Sequence, residues 1–231
     1  MYELISNNSI YLAVLAGLIA GVPLIMSVEK TASDRRLLPS VLLAVLFSAV
    51  SVFSVLLFAS FEKLISGGGL SIGAVSTYGV YLIAPLILLL VIRKDRALRF
   101  DQFAIFVLPS LFLQRIRCLF IGCCYGKTIH GVEMRWPTRE AELVFYAVML
   151  ILFLYLEKKG NVKEGGLFPL LMICYGAFRF IVEFFRDNGS GLFHLAHIWS
   201  IIALIIGVCL YTELSAARAG GKKVTKKRGK K

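Results

Sequence analysis

Apolar residues dominate seven stretches of the chain, roughly residues 9–28, 37–61, 74–92, 102–121, 141–157, 166–185 and 193–213, with short polar connections between them. A helix crosses a bilayer in about 20 apolar residues, and each stretch approaches or reaches that length. Inside lipid the backbone must satisfy its own amides, so such stretches form helices rather than open strands. The pattern predicts an all-α, polytopic membrane protein. One seven-helix domain covers residues 1–213, and a polybasic segment expected to be disordered covers 214–231. The composition, 58% hydrophobic and 17% charged over 231 residues, excludes an ordinary soluble domain.

Charge then orients the helices. Eighteen lysines and arginines lie in the tail and in the connections after the first, third and fifth stretches, against five on the other side. The excess marks the cytoplasmic face, so the amino terminus is expected outside and the carboxyl terminus in the cytoplasm. The net charge of +12 therefore calls for no nucleic acid, since no folded reader of one accompanies it. The tail "GGKKVTKKRGKK" reads instead as a partner for anionic inner-leaflet lipids. The first stretch lacks a basic n-region and a small-residue cleavage pattern, and is read as a retained helix.

Three arginines lie within spans: Arg115, Arg117 and Arg179. An ionisable residue inside a membrane faces protein, water or a polar ligand. Tyr175, Arg179, Glu183 and Arg186 follow steps of four, four and three, which draws one stripe along the sixth span. A bland reading of that stripe is an ion ladder of Arg179 with Glu183, but it leaves Arg115 and Arg186 without a role. Arg115 and Arg117 are two apart, so a regular helix points them about 200° from each other. Arg115, the deeper of the two, is expected to face the interior, and Arg117 to snorkel. Alternating topology brings Arg115, Arg179 and Arg186 to the outer side. Guanidinium forks match phosphate oxygens, so the expected guest is an anionic lipid head group.

Cys123 and Cys124 invite a nucleophile reading beside a plainer one, packing or oxidative pairing with Cys118. His130, His194 and His197 have no third ligand nearby in sequence, so neither a metal nor another cofactor is expected. "ISGGGLSIGAVSTYGV" (65–80) is glycine-rich and suits a turn or a close helix approach.

These residues carry a resemblance. "QRIRCLFIGCCYGK" resembles the signature of prolipoprotein diacylglyceryl transferases in the branch that ends Gly-Cys-Cys-Tyr-Gly. "YGAFRFIVEFFRDN" is similar to that family's Tyr-Gly-x-x-Arg-x-x-x-Glu-Phe-x-Arg helix, and "RWPTREAE" to its Pro-Thr-Gln-Leu-Tyr-Glu segment, which places Glu142 on the family glutamate. The resemblance implies a bacterial plasma-membrane enzyme with its site towards the outer leaflet. Such enzymes transfer the diacylglyceryl group of phosphatidylglycerol to the lipobox cysteine thiol of a prolipoprotein signal peptide, releasing glycerol phosphate. Carried over, it implies Arg179, Glu142 and Tyr78 for the chemistry. It implies Arg115, Glu183, Arg186, Tyr175, Gly122 and Gly126 for the lipid.

The sequence departs from the family at several of these places. Tyr78 and Gly79 stand where histidine and glycine are expected, Arg117 replaces a signature glycine, and His197 stands where glutamine is usual. Tyr78, Glu142 and His197 are the candidates for a general base. Two other readings remain beside the transferase: a relative that binds phospholipid but uses another acceptor or none, and a non-enzymatic lipid transporter or scaffold. The transporter lacks the paired broken helices that such folds use.

Overall fold

The structure, a computed structural model, describes residues 18, 21–27, 37–67, 75–122, 124–129, 134–187 and 193–228. Its named helices are α1 (Leu37–Ile65), α2 (Tyr78–Leu82), α3 (Ala84–Val91), α4 (Arg96–Ile121), α5 (Thr138–Lys159), α6 (Leu167–Glu183) and α7 (Leu195–Arg228). Residues 21–27 are helical as well; most of the first expected span and part of the glycine-rich 65–80 segment lie outside the described residues. Among the described residues there is no strand, only two isolated β-bridges. The all-helical expectation therefore holds.

By length and composition α1, residues Arg96–Phe120 of α4 and residues Leu195–Ala216 of α7 can each cross a membrane, and Tyr78–Val91 forms a shorter apolar stretch. That stretch divides at Ile83, because Pro85, in the first turn of α3, has no N–H to continue the ladder. The helix α4 begins ahead of its apolar stretch. Its first turns are held by side chains: Arg96 Nε donates to the Ile92 carbonyl at 2.8 Å, and Arg99 donates to Gln102 Oε1 at 2.8 Å.

The core sits where α1, α4 and α6 bring aromatic rings together. Phe47 of α1 meets Phe103 edge-on at 5.2 Å between centroids, and Phe103 meets Phe168 of α6 at 5.8 Å. Helix α6 packs chiefly on α7 and needs small residues to do so. A Cβ on Gly176 would come within 2.7 Å of the Ser200 carbonyl, and one on Gly207 within 2.9 Å of Met172 Cβ. Close backbone approach of this kind is how helices associate where lipid offers no hydrophobic drive.

One polar device ties the bundle at the end opposite the site. Asp101 of α4 is buried and accepts from the Gly165 N–H at 2.6 Å and the Leu167 N–H at 2.8 Å. The N-terminus of α6 has no side-chain cap of its own, so a carboxylate from another helix satisfies its amides. Nothing in the sequence pattern marks this contact.

Candidate functional site

The site forms at the other end, where the loop after α4 folds back on α6. Gly122 ends α4 at φ 71°, a left-handed conformation that glycine adopts without strain. The chain then pairs with the segment after α6: the Lys127 N–H donates to the Phe185 carbonyl at 2.8 Å, and the Asp187 N–H to the Tyr125 carbonyl at 3.1 Å. Gly126 bridges Arg186 in antiparallel fashion, and a Cβ there would collide with the Trp136 carbonyl. The loop also pairs with itself, Ile129 N–H to Met134 O at 2.9 Å and Trp136 N–H to Lys127 O at 3.0 Å. Arg139 stacks over the Tyr125 ring at 4.2 Å. The backbone pairing across Gly126 carries Arg186 to the mouth of the bundle.

Inside that mouth, one carboxylate gathers three arginines. Glu142 of α5 lies 2.5 Å from Arg115 Nε of α4, 2.5 Å from Arg179 Nη1 of α6, and 3.8 Å from Arg186 Nη1. Arg179 turns its second terminal nitrogen to Glu183, 2.8 Å away and one helical turn along. Arg115, Glu142, Arg179 and Glu183 are all buried, with Arg186 more open. Three guanidiniums and two carboxylates are in contact, a direct balance of +1, and half-buried Glu62 of α1 lies within electrostatic reach of Arg179 and Glu183. Burying an ion is costly unless it is paired, and each of the three arginines here has a carboxylate within 4 Å. The convergence of Arg115, Arg179 and Arg186 expected from the sequence is present, with Glu142 rather than Glu183 at its centre.

Tyrosines surround the cluster. Tyr146, one turn after Glu142, stands among Glu142, Arg115 and Arg179. Tyr175 lies one turn before Arg179 and stacks on Tyr81 of α2, ring centroids 3.8 Å apart. The Tyr146 hydroxyl faces the Arg115 guanidinium, while those of Tyr81 and Tyr175 are buried without a hydrogen-bond partner among the described residues. Two such hydroxyls on stacked rings are donors without an acceptor. Sequence reasoning found Tyr175 and missed Tyr81 and Tyr146. The four-residue step from Glu142 to Tyr146 was the available signal.

The remaining candidates fall around this cluster. The Tyr78 hydroxyl lies 2.8 Å from both the Ala196 carbonyl, to which it donates, and Ser200 Oγ, and so is engaged by α7. Its ring meets that of Tyr175 edge-on, 6.0 Å between centroids. His197 is fully buried among Phe180, Phe184 and Phe193; its Nδ1 accepts from the His194 N–H at 3.1 Å. Cys123 and His130 lie outside the described residues, whereas Cys118 is buried in α4 and Cys124 adopts a positive φ of 61°. Arg117, expected to snorkel, is half-buried and lines a groove between α1 and α4, with its Nε shielded. Among the described residues no group of three or more His, Cys, Asp or Glu side chains is placed to hold a metal ion.

Comparison with known proteins covers the part of the chain that holds this cluster. A family model described as prolipoprotein diacylglyceryl transferase matches residues 9–212. A phosphatidylglycerol–prolipoprotein diacylglyceryl transferase of Clostridium tetani is 30% identical over 126 residues, 46% of this chain and 50% of that one. Transferase 2 of the same description from Clostridium perfringens is 33% identical over 147 residues, 53% of this chain and 56% of its own. One from Dehalococcoides mccartyi is 30% identical over 123 residues, 46% of each chain. The chain spans about half the length of the curated relatives it matches.

Proposed function

The chain belongs to the prolipoprotein diacylglyceryl transferase family, and from that premise we propose that it transfers the diacylglyceryl group of phosphatidylglycerol to the lipobox cysteine of a prolipoprotein. The observation that carries the reading is the convergence of three arginines on one carboxylate at one end of the bundle. Three arginines against Glu142 and Glu183 leave +1, and a phosphodiester brings −1. A phosphodiester head group supplies a counter-charge to the three arginines, and the Tyr81 and Tyr175 hydroxyls supply donors for its oxygens.

In this reading Glu142 is a positioning residue. It takes Arg115 through Nε and Arg179 through one terminal nitrogen, which fixes both planar groups. The thiol sulfur attacks the diacylglycerol carbon that bears the phosphate, forming C–S as the C–O bond breaks. The electron pair leaves with the phosphate, and the thiol proton ends on the glycerol phosphate, whose second ionisation lies near pH 6, or in solvent. Charge grows on the phosphate as it leaves, which is where fixed guanidiniums lower a barrier. Arg186, the most open of the three, stands where the departing group meets solvent.

The same proposal covers the finer topology. Seven spans, an outer amino terminus and a cytoplasmic tail place the cluster towards the outer leaflet of a bacterial plasma membrane, with the tail against anionic inner-leaflet lipids. The polybasic segment 214–231 prolongs α7, which runs to Arg228, beyond the proposed seven-helix domain 1–213.

A second reading has its own observation. Tyr78 occupies the place of the family's histidine, and its hydroxyl is held by the Ala196 carbonyl and Ser200. A chain lacking that proton acceptor could bind phosphatidylglycerol and transfer nothing to a lipobox thiol. The test is reconstitution of the purified chain in phosphatidylglycerol vesicles with a lipobox peptide, scored by mass spectrometry. A peptide mass increased by one diacylglyceryl group, with glycerol phosphate released in equal amount, supports transfer. Lipid binding without a mass shift supports the second reading.

A further inference from the structure

Tyr78, Glu142 and His197, the proton acceptors expected from the sequence, are all engaged in the fold. The Tyr78 hydroxyl donates to the Ala196 carbonyl, and Glu142 is taken up by Arg115 and Arg179. His197 is sealed among phenylalanines. Attack by a thiol at neutral pH still needs a place for the proton, since a free cysteine gives it up only near roughly pH 8.5. A carboxylate that the sequence motifs do not mark stands on the same side as Tyr78.

That group is Glu62, in the last turn of α1. Phe58, one turn before it, is buried against Tyr78 at 6.2 Å and Trp199 at 5.1 Å between ring centroids. The i, i+4 spacing turns Glu62 the same way, towards α2 and α7. Its carboxylate accepts from the Ser76 hydroxyl and lies within electrostatic reach of Arg179 and Glu183. Glu183 in turn pairs with Arg179 and is within reach of His197, and Lys63 beside Glu62 on α1 is exposed. Glu62 itself is half-buried, open enough to meet a substrate. With 29 residues α1 is about 43 Å long, more than the hydrocarbon core of a bilayer, so its last turn reaches the surface layer.

Arg179 divides the site into two sides. Its Nη1 points to Glu142, with Arg115 and Arg186 around it. Its Nη2 points to Glu183, with Glu62 and Tyr78 near by. The first side is rich in cations and suits a departing phosphate. The second holds carboxylates and suits an incoming thiol.

We propose that Glu62 is the proton acceptor for the attacking thiol, in the place that Tyr78 leaves without one. The proposal rests on the transferase reading. The cysteine S–H proton passes to the Glu62 carboxylate, and the thiolate forms C–S at the glyceryl carbon as the C–O bond to phosphate breaks. The electron pair of that bond leaves on the phosphate, towards the arginines. Glu62 then returns its proton to solvent or to the departing glycerol phosphate, and the carboxylate is restored.

The test repeats the vesicle assay with two lipobox peptides, one carrying cysteine and one carrying selenocysteine in its place. A selenol is ionised at neutral pH without help, so its transfer needs no base. In Glu62→Gln, cysteine transfer at neutral pH should fall about 100-fold or more, the usual contribution of a general base. Selenocysteine transfer should stay near the wild-type rate, and the rise in Tm on adding phosphatidylglycerol should persist. An equal loss with both peptides makes Glu62 structural and overturns the proposal, as does a Glu62→Gln chain as active on cysteine as wild type. Should Glu62→Gln not fold, Glu62→Asp, whose carboxylate is withdrawn by one methylene, is read the same way. Slower cysteine transfer with selenocysteine unchanged then supports the acceptor, and any other pattern overturns it. Wild type that transfers to selenocysteine alone has a site without a proton acceptor, which overturns this proposal and spares the transferase reading. Wild type that transfers to neither peptide overturns both.

Discussion

Arg115 and Arg117 stand two residues apart on one helix and meet different surroundings. Arg115 Nε lies 2.5 Å from Glu142, in an ion cluster shared by α4, α5 and α6; Arg117 lines the aliphatic groove between α4 and α1. The helix stays regular from Pro109 to its left-handed cap at Gly122, so the 200° offset between the two is fully expressed. A short signature thus addresses two faces of the bundle at once.

Arg115→Lys tests whether planarity matters as well as charge. An ammonium can neutralise Glu142 but cannot hold the carboxylate through one nitrogen while presenting two more to a phosphate. We expect the variant to fold and its apparent affinity for phosphatidylglycerol to fall roughly 10- to 100-fold, in line with the loss of one or two charge-assisted hydrogen bonds. Isothermal titration with short-chain phosphatidylglycerol in detergent measures this. Unchanged affinity would remove the phosphate role from Arg115.

Glu142→Gln tests the centre of the cluster. The amide leaves three guanidiniums around a neutral group, with Glu183 beside Arg179. Removing one member of a buried ionic group destabilises by about 3–5 kcal/mol, because the partner charges stay buried. A bound phosphodiester would restore part of the missing negative charge. The expected result in thermal unfolding is a large fall in Tm that phosphatidylglycerol partly reverses, with a larger lipid-induced rise than wild type shows. Equal lipid responses in the two proteins would mean that the head group does not sit among these arginines.

The reach of the sequence is clearest at these same residues. The four-four-three stripe of Tyr175, Arg179, Glu183 and Arg186 is a local property of one helix, and it appears in the structure as read. Long apolar stretches likewise predicted α1, α4 and α7. What periodicity could not show is which carboxylate takes the centre. Glu183 is the near neighbour of Arg179 in sequence, yet Glu142, thirty-seven residues away, gathers three arginines, because the loop pairing across Gly126 brings α5 and α6 together. Asp101 was invisible for the same reason. Its partners are backbone amides, and backbone amides leave no signature in a sequence.

Asp101→Ala should show that this carboxylate is structural. It leaves the Gly165 and Leu167 N–H groups at the start of α6 without acceptors, in a buried setting. Loss of a helix cap costs about 1–2 kcal/mol, and stranded buried donors bring the figure to the upper end or beyond. The cluster around Glu142 lies at the opposite end of α6, so the lipid-induced rise in Tm should keep its size while the baseline Tm falls. Asparagine, which keeps one acceptor, should recover part of the loss. A vanished lipid response with unchanged baseline stability would contradict this assignment.

The double change Arg179→Leu with Glu183→Leu separates a lipid site from a structural ion ladder. Wild type carries three arginines and two carboxylates; the double variant carries Arg115, Arg186 and Glu142, and the excess stays at +1. Each single change alters that balance. Arg179→Leu brings it to zero with Glu183 stranded, and Glu183→Leu raises it to +2. Both singles should lose stability, by about 3–5 kcal/mol where a buried charge is left without its partner. Replacing the pair together with apolar side chains is often neutral or stabilising, so the double should unfold near the wild-type temperature. Because its net charge is unchanged, any loss of lipid response in the double reports the missing guanidinium geometry rather than electrostatics at large. A ligand that binds only the folded state raises stability by about 2.7 kcal/mol at a hundred times its Kd, which thermal unfolding in detergent resolves. We expect wild type to gain Tm on addition of phosphatidylglycerol and the double variant to gain almost none. A double variant that gains as much as wild type would confine Arg179 and Glu183 to bracing α6, and would leave the phosphate to Arg115 and Arg186.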